Sequence, residues 1–184
     1  MGRSGGASVT LAESGAAASQ VAARRVFLSL GSNLGDRLAF LRAARAALAT
    51  LPQVDVLASS PIYETDPQDF EAQPAFLNQV ICLETTLPPS DLLRACQAIE
   101  AAHGRERSRR FGPRTLDIDI LFYEGVESDD PELTLPHPRA QQRAFVMVPL
   151  ADVWRWSRGM PALDVSQRAA ELAREQAVRQ YSDE

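Results

Sequence analysis

The sequence predicts an α+β domain of the ferredoxin-like kind, in the order β-α-β-β-α-β, with an antiparallel sheet and helices packed on its faces. Three observations predict it. Short apolar runs recur at strand length; two stretches between them carry apolar residues at helical spacing; prolines and glycines fall at the joints. Order is expected to begin near Arg25, giving a single domain over residues 25–184. Residues 1–24 are small and polar with no compact apolar stretch, which reads as a disordered extension rather than a signal peptide.

Each element has its own signal. "RVFLSLGSN" is an apolar run ending in a turn, hence a buried strand. "GDRLAFLRAARAALATL" places Leu38, Leu41, Ala44, Leu48 and Leu51 on one helical face and stops at Pro52. "VDVLASSPIYETDP" reads as a second strand that ends where Pro61 and Pro67 bracket a change of direction, and "DPQDFEAQP" as a loop. "AFLNQVICLETTL" is a third strand. "PPSDLLRACQAIEAAHG" is a helix with Leu92, Leu93, Cys96 and Ile99 facing inward, Ser90 as its expected cap and Gly104 as its stop. "TLDIDILFY" is a fourth strand, "RAFVMVPLADV" a short helical segment, and "DVSQRAAELAREQAV" a last helix begun by Asp164 or Ser166.

Bulk composition narrows the function. With 184 residues and 45% apolar content the chain can bury one core. A net charge of −5 offers no general attraction to nucleic acid or anionic membrane, so neither is expected as a partner and any anion chemistry must be local. No uncharged apolar run reaches the ~18 residues of a membrane span. Cys82 and Cys96 fit no zinc or CxxC pattern and fall in apolar periodic segments, so they are expected to be reduced core residues of a cytoplasmic protein.

The local chemistry is concentrated in "GRERSRRFGPRTLDIDILFYEG". Residues 105–114 carry five arginines against one acid, a local charge of +4. Arginine forks bind phosphate oxygens bidentately and stay charged when desolvated. Strand alternation then puts Asp117 and Asp119 on one face, where they repel and disfavour ionisation unless a cation lies between them. Hard carboxylate oxygens suit Mg2+ completed by water and phosphate. A solvated strand face, or a carboxylate paired with an arginine, explains the aspartates alone; a nucleic-acid patch explains the arginines alone. A metal-bound polyphosphate under a closing loop explains both. "LGSNLGDR" lacks the Lys-Ser/Thr of a P-loop and is as well read as a tight turn. His137, between Pro136 and Pro138 and near Arg139 and Arg143, has no nucleophile beside it. That suits binding a nucleotide better than proton transfer. His103 reads as a capping cation at a helix end.

Taken together, "LGSNLGDR", "SSPIYETDP", "FLNQV", "GRERSRRFGPRTLDIDIL" and "LPHPRAQQRAF" closely resemble the 6-hydroxymethyl-7,8-dihydropterin pyrophosphokinases of folate synthesis, from about Arg25 to Val153. The resemblance implies transfer of pyrophosphate from ATP to the pterin hydroxymethyl oxygen, with release of AMP. It implies two Mg2+ ions bridged by Asp117 and Asp119, Arg105 and Arg107 on a closing catalytic loop, and Arg114 on phosphate. Gln97, Ile120, Thr134, His137 and Arg143, with Arg105 and Arg114, match positions that hold ATP. Phe76 and Phe145 match two aromatics that sandwich the pterin, with Asn78 and the backbone near Thr65 and Asp66 reading its edge. The residues alone would put both phenylalanines in the core. Phe111 stands where the family often has Trp, and Pro138 where some members have Tyr. The loop from Arg105 to Phe111 is about one residue shorter than in some members, which leaves Arg109 and Arg110 without assigned roles. The chain is expected to be a monofunctional monomer. Two other readings keep the fold: a ferredoxin-like regulatory module that binds a nucleotide or amino acid without turnover, and a nucleic-acid-binding module.

Overall fold

The computed structural model describes residues 22–67, 72–105 and 113–182. Expectations for residues 1–21 and for Arg107, Arg109, Arg110 and Phe111 lie outside these. The described elements are β1 (Arg24–Ser32), α1 (Arg37–Thr50), β2 (Val54–Ser59), β3 (Tyr63–Thr65), β4 (Phe76–Thr85), α2 (Pro89–Ala102), β5 (Asp117–Tyr123), β6 (Ser128–Asp130), β7 (Leu133–Leu135), α3 (Ala144–Val153), α4 (Val165–Leu172) and β8 (Val178–Gln180).

The main sheet runs β5-β1-β4-β3-β8, with β2 also paired to β4, and every pairing is antiparallel. In terms of the four expected strands the spatial order is fourth, first, third, second, as the ferredoxin-like arrangement requires. The expected second strand is two, because the chain breaks around Pro61 and both halves pair with the long β4: β2 with Ile81–Thr85, β3 with Phe76–Asn78.

Both sheet faces are covered, and the side-chain alternation of β1 shows how. Val26, Leu28 and Leu30 pack with Leu41, Ala44 and Leu48 of α1 and Leu92, Cys96 and Ile99 of α2. Phe27 packs on the other face with Val80, Cys82 and Phe122, under Met147 and Leu150 of α3 and Leu172 of α4. The two cysteines thus lie in different cores, both free and buried, and burial pushes each thiol up to about 12.

Helix ends follow short-range chemistry. Asp36 Oδ1 accepts the Ala39 N–H at 2.9 Å to start α1, and Asp164 Oδ1 accepts the Gln167 N–H at 2.9 Å to start α4. Ser90 does not cap α2: proline opens that helix, and the Ser90 hydroxyl lies 3.4 Å from Asp91 Oδ1 instead. His103 ends α2 with Nδ1 2.7 Å from the Ile99 carbonyl, and Gly104 follows at φ +74°. The last helix is shorter than its periodicity suggested, stopping at Leu172 so that residues 178–180 can join the sheet beside β3.

Candidate functional site

A cavity of about 320 Å3 opens at one end of the main sheet, where β1 and β3 finish and β4 and β5 start. Its floor is a row of paired backbone positions: Asp117 opposite Gly31, and Gly31 opposite Asn78, with Asp119 opposite Ser29 one step along. A Cβ at position 31 would sit 3.3 Å from Asn78 Oδ1, so glycine keeps the floor low between the carboxylates and the amide. Asn78 Nδ2 donates to Thr65 Oγ1 at 2.7 Å and ties the floor to the β3 side. Phe76 at the start of β4 and Phe145 on α3 both line the space, with Arg114 5.8 Å from the Phe76 ring centre and Arg143 5.2 Å from that of Phe145.

Charge in the cavity is arranged around one carboxylate. Arg105 Nη1 reaches Asp117 Oδ1 at 2.7 Å, and Arg114 Nη1 reaches Asp117 Oδ2 at 2.5 Å. Arg105 also pairs with Glu100, a buried acid of α2 whose Oε1 accepts the Ile118 N–H at 2.7 Å. Burial raises the Glu100 carboxyl, while the Ile118 N–H and the Arg105 charge oppose that rise. Asp119 lies one step further along the same strand face, opposite Ser29. Burial first, and then the neighbouring Asp117 charge, push it up to about 7. The repulsion expected of D-x-D on a strand is therefore present, and it falls on the inner aspartate.

Two residues hold this arrangement in place. Asn33, 1% exposed, accepts the Arg114 N–H on Oδ1 at 2.8 Å. It also donates from Nδ2 to Gln73 Oε1 and to the Pro74 carbonyl, each at 3.1 Å. "LGSN" therefore works through an asparagine side chain that joins the two segments flanking the cavity. His137 is fixed at both ends: its N–H donates to the Leu121 carbonyl at 2.8 Å, and its Nδ1 accepts the Arg139 N–H at 3.2 Å. An accepting Nδ1 puts the ring proton on Nε2. Burial and then the Arg143 charge lower the imidazole to about 4, which keeps it neutral.

Of the residues singled out in the sequence, Thr65, Asp66, Phe76, Asn78, Arg105, Arg114, Asp117, Asp119, His137, Arg143 and Phe145 all line this one cavity, and Pro138 joins them. Gln97, Ile120 and Thr134 do not. Gln97 is exposed on α2, Ile120 points into the core beneath α1 and α2, and the Thr134 hydroxyl donates to the Asp130 carbonyl at 3.0 Å in the β6–β7 hairpin. Ser29, Gly31, Gln73, Asn33 and Glu100 went unnoticed. Glu100 had a signal, since it lies four residues from Cys96 on the apolar face of α2. Among the described residues no set of three histidines, cysteines or carboxylates forms a metal-ligating group. A cation held by Asp117 and Asp119 would need outside oxygens.

Comparison with known proteins places this cavity in context. The family model described as 7,8-dihydro-6-hydroxymethylpterin-pyrophosphokinase (HPPK) matches residues 27–155. The chain is 48% identical over 129 residues to the 2-amino-4-hydroxy-6-hydroxymethyldihydropteridine pyrophosphokinase of Methylorubrum extorquens, covering 70% of this chain and 82% of that protein. It is 45% identical over 127 residues to the protein of the same name from Bacillus subtilis, covering 69% of this chain and 76% of the relative. Among solved structures, wild-type Plasmodium falciparum HPPK-DHPS with SDX-DHP superposes with a TM-score of 0.60 at 13% identity, over 82% of this chain and 44% of that one. That likeness is one of fold, and this chain spans under half of the Plasmodium chain.

Proposed function

The chain belongs to the 7,8-dihydro-6-hydroxymethylpterin-pyrophosphokinase family, and from that premise we propose that the cavity at the end of the sheet is where it carries out the family's reaction. The reaction is pyrophosphate transfer to hydroxymethyldihydropterin in folate biosynthesis, with ATP as co-substrate. The hydroxymethyl oxygen bonds to the β-phosphorus of ATP, the bond from that phosphorus to the α–β bridging oxygen breaks, AMP leaves, and the hydroxyl proton is released to solvent. The observation that carries the reading is Asp117 held between Arg105 and Arg114 beside the half-buried Asp119, in a cavity lined by Phe76 and Phe145.

Phe76 and Phe145 offer flat faces to the pterin, and Asn78, Thr65 and Asp66 offer its edge hydrogen-bonding partners. Arg143, Arg139 and the Nε2–H of His137 also line the cavity and supply donors suited to a triphosphate's negative oxygens. Asp117 and Asp119 suit two Mg2+ ions, because both are hard oxygen donors on one strand face and the inner one resists ionisation without a cation. Bound there, Mg2+ would neutralise charge developing on the transferred group. Arg105 and Arg114 neutralise Asp117 before substrate arrives. With a cation at that carboxylate, Arg105 and Arg114 could exchange Asp117 for phosphate, Arg105 from its place beside Glu100, and Arg107 is assigned to the same role by resemblance.

Among the described residues no helix is long and apolar enough to cross a membrane. We place the enzyme in the cytoplasm, as a monomer. The free buried thiols of Cys82 and Cys96 support the compartment, and size-exclusion chromatography with light scattering checks the monomer. The activity is tested by incubating protein, ATP, Mg2+ and 6-hydroxymethyl-7,8-dihydropterin and separating the nucleotides. AMP formed one-for-one with pterin pyrophosphate is the expected product; no turnover with ligand bound would favour the regulatory-module reading, and ADP would contradict pyrophosphoryl transfer.

A further inference from the structure

We infer that Arg179, on the C-terminal strand β8, is a positioning residue that holds the Thr65–Asp66 wall of the cavity and so sets the affinity for the pterin. The family match stops at residue 155, whereas α4 and β8 come later in the chain. The strand β8 pairs with β3 along its outer edge, and Thr65 is thereby sandwiched, its backbone opposite Phe76 on one side and Val178 on the other. Thr65 and Phe76 both line the cavity. A three-residue strand paired on one edge only has little to hold it; the second partner is what makes this wall rigid.

Side chains reinforce the backbone pairing. Arg179 grips Glu64 Oε2 through Nε at 3.0 Å and Nη2 at 2.9 Å, and its Nη1 lies 3.5 Å from Asp66 Oδ1. The other oxygen of Glu64 accepts from Arg37 Nη1 at 2.9 Å, and the same Nη1 donates to the Ala75 carbonyl at 2.8 Å, directly before Phe76. Glu64 thus bridges two cations: one fixes the residue after Thr65, the other the residue before Phe76. Releasing Arg179 lets Glu64 pivot and loosens both. His137, Arg139 and Arg143, read as the ATP side, belong to a different segment, between β7 and α3. The Arg179 side chain is 54% exposed, so its loss should not unfold the protein.

The inference rests on reading the Thr65–Phe76 wall as the pterin side, and the experiment separates the two. Steady-state constants for both substrates and thermal midpoints are measured for Arg179→Ala, Arg179→Lys, Glu64→Gln, the Arg179→Ala/Glu64→Gln double variant and Asn78→Ala. Arg179→Ala is expected to raise KM for the pterin roughly fivefold, with KM for ATP and the midpoint unchanged. Arg179→Lys should recover most of the loss, and the double variant should be no worse than Arg179→Ala alone. If Asn78→Ala raises the pterin KM but Arg179→Ala does not, the inference fails and the wall assignment stands. If neither does, the wall is misassigned and the inference falls with it. A parallel rise in both KM values with a lowered midpoint would show general destabilisation and also overturn it.

Discussion

Arg105 is bonded to Asp117 at 2.7 Å, so the arginine assigned to phosphate begins by neutralising the carboxylate assigned to metal. The pairing predicts a division of labour among the arginines. Arg105 must leave Asp117 to meet phosphate, so its contact should be stronger in the transition state than in the ground state. Arg143 already faces the cavity from the start of α3, against the Phe145 ring. Arg105→Ala should lower the single-turnover rate roughly a hundredfold with little change in ATP affinity, while Arg143→Ala should chiefly weaken ATP binding. Calorimetric ATP titrations beside quench-flow rates check this; the reverse pattern would contradict the swap of partners.

Asn33→Ala should cost stability and activity together. It removes the side-chain acceptor of the half-buried Arg114 N–H and the Asn33 side-chain bonds to Gln73 and Pro74. A loss of about 2 kcal/mol in urea unfolding is expected, with kcat reduced because Arg114 is no longer held beside Asp117.

His137 should contribute a loss of stability in mild acid, set against the opposite contribution of Asp119, whose raised value gains stability as pH falls below about 7. The folded-state value of His137 is lowered to about 4, so between about 4 and the ordinary ~6.5 the unfolded chain binds the extra proton. The His137 contribution is present above that window and is lost as pH falls through it. The denaturant midpoint of the wild type relative to that of His137→Asn, whose side-chain oxygen can still accept the Arg139 N–H, should fall as pH is lowered from 7 to 4.

Cys82 and Cys96 should resist a thiol reagent at pH 8 in the native protein and react together once urea unfolds it, since both are buried and pushed up to about 12. Rapid labelling of either in the native state would contradict the two-core packing.

Much of this was legible in the sequence because it is local. The alternation in "TLDIDIL" put Asp117 and Asp119 on one face, and the cavity lines up with both. Asp164 was one of two expected starts for α4, and its side chain caps that helix. Other features depend on distant partners. The three-residue strand β8 exists because β3 offers it an open edge, and nothing in "AVRQ" announces that. Asn33 in "LGSN" looked like turn chemistry, yet its bonds reach residues 40 and 81 positions away. Ile120 matched an ATP position by resemblance, but strand alternation turns its side chain away from the cavity, into the α1/α2 core.

The central claim is that the two aspartates act together, through a cation, on the transferred pyrophosphate. It is tested most directly by the single-turnover rate of AMP formation in Asp117→Ala and Asp119→Ala at saturating ATP, Mg2+ and pterin, with folding checked by circular dichroism. Removing either should cost several kcal/mol of barrier, roughly a thousandfold or more in rate, while the fold persists. Either variant keeping more than about a tenth of the wild-type rate, a gap of only ~1.4 kcal/mol, would contradict it.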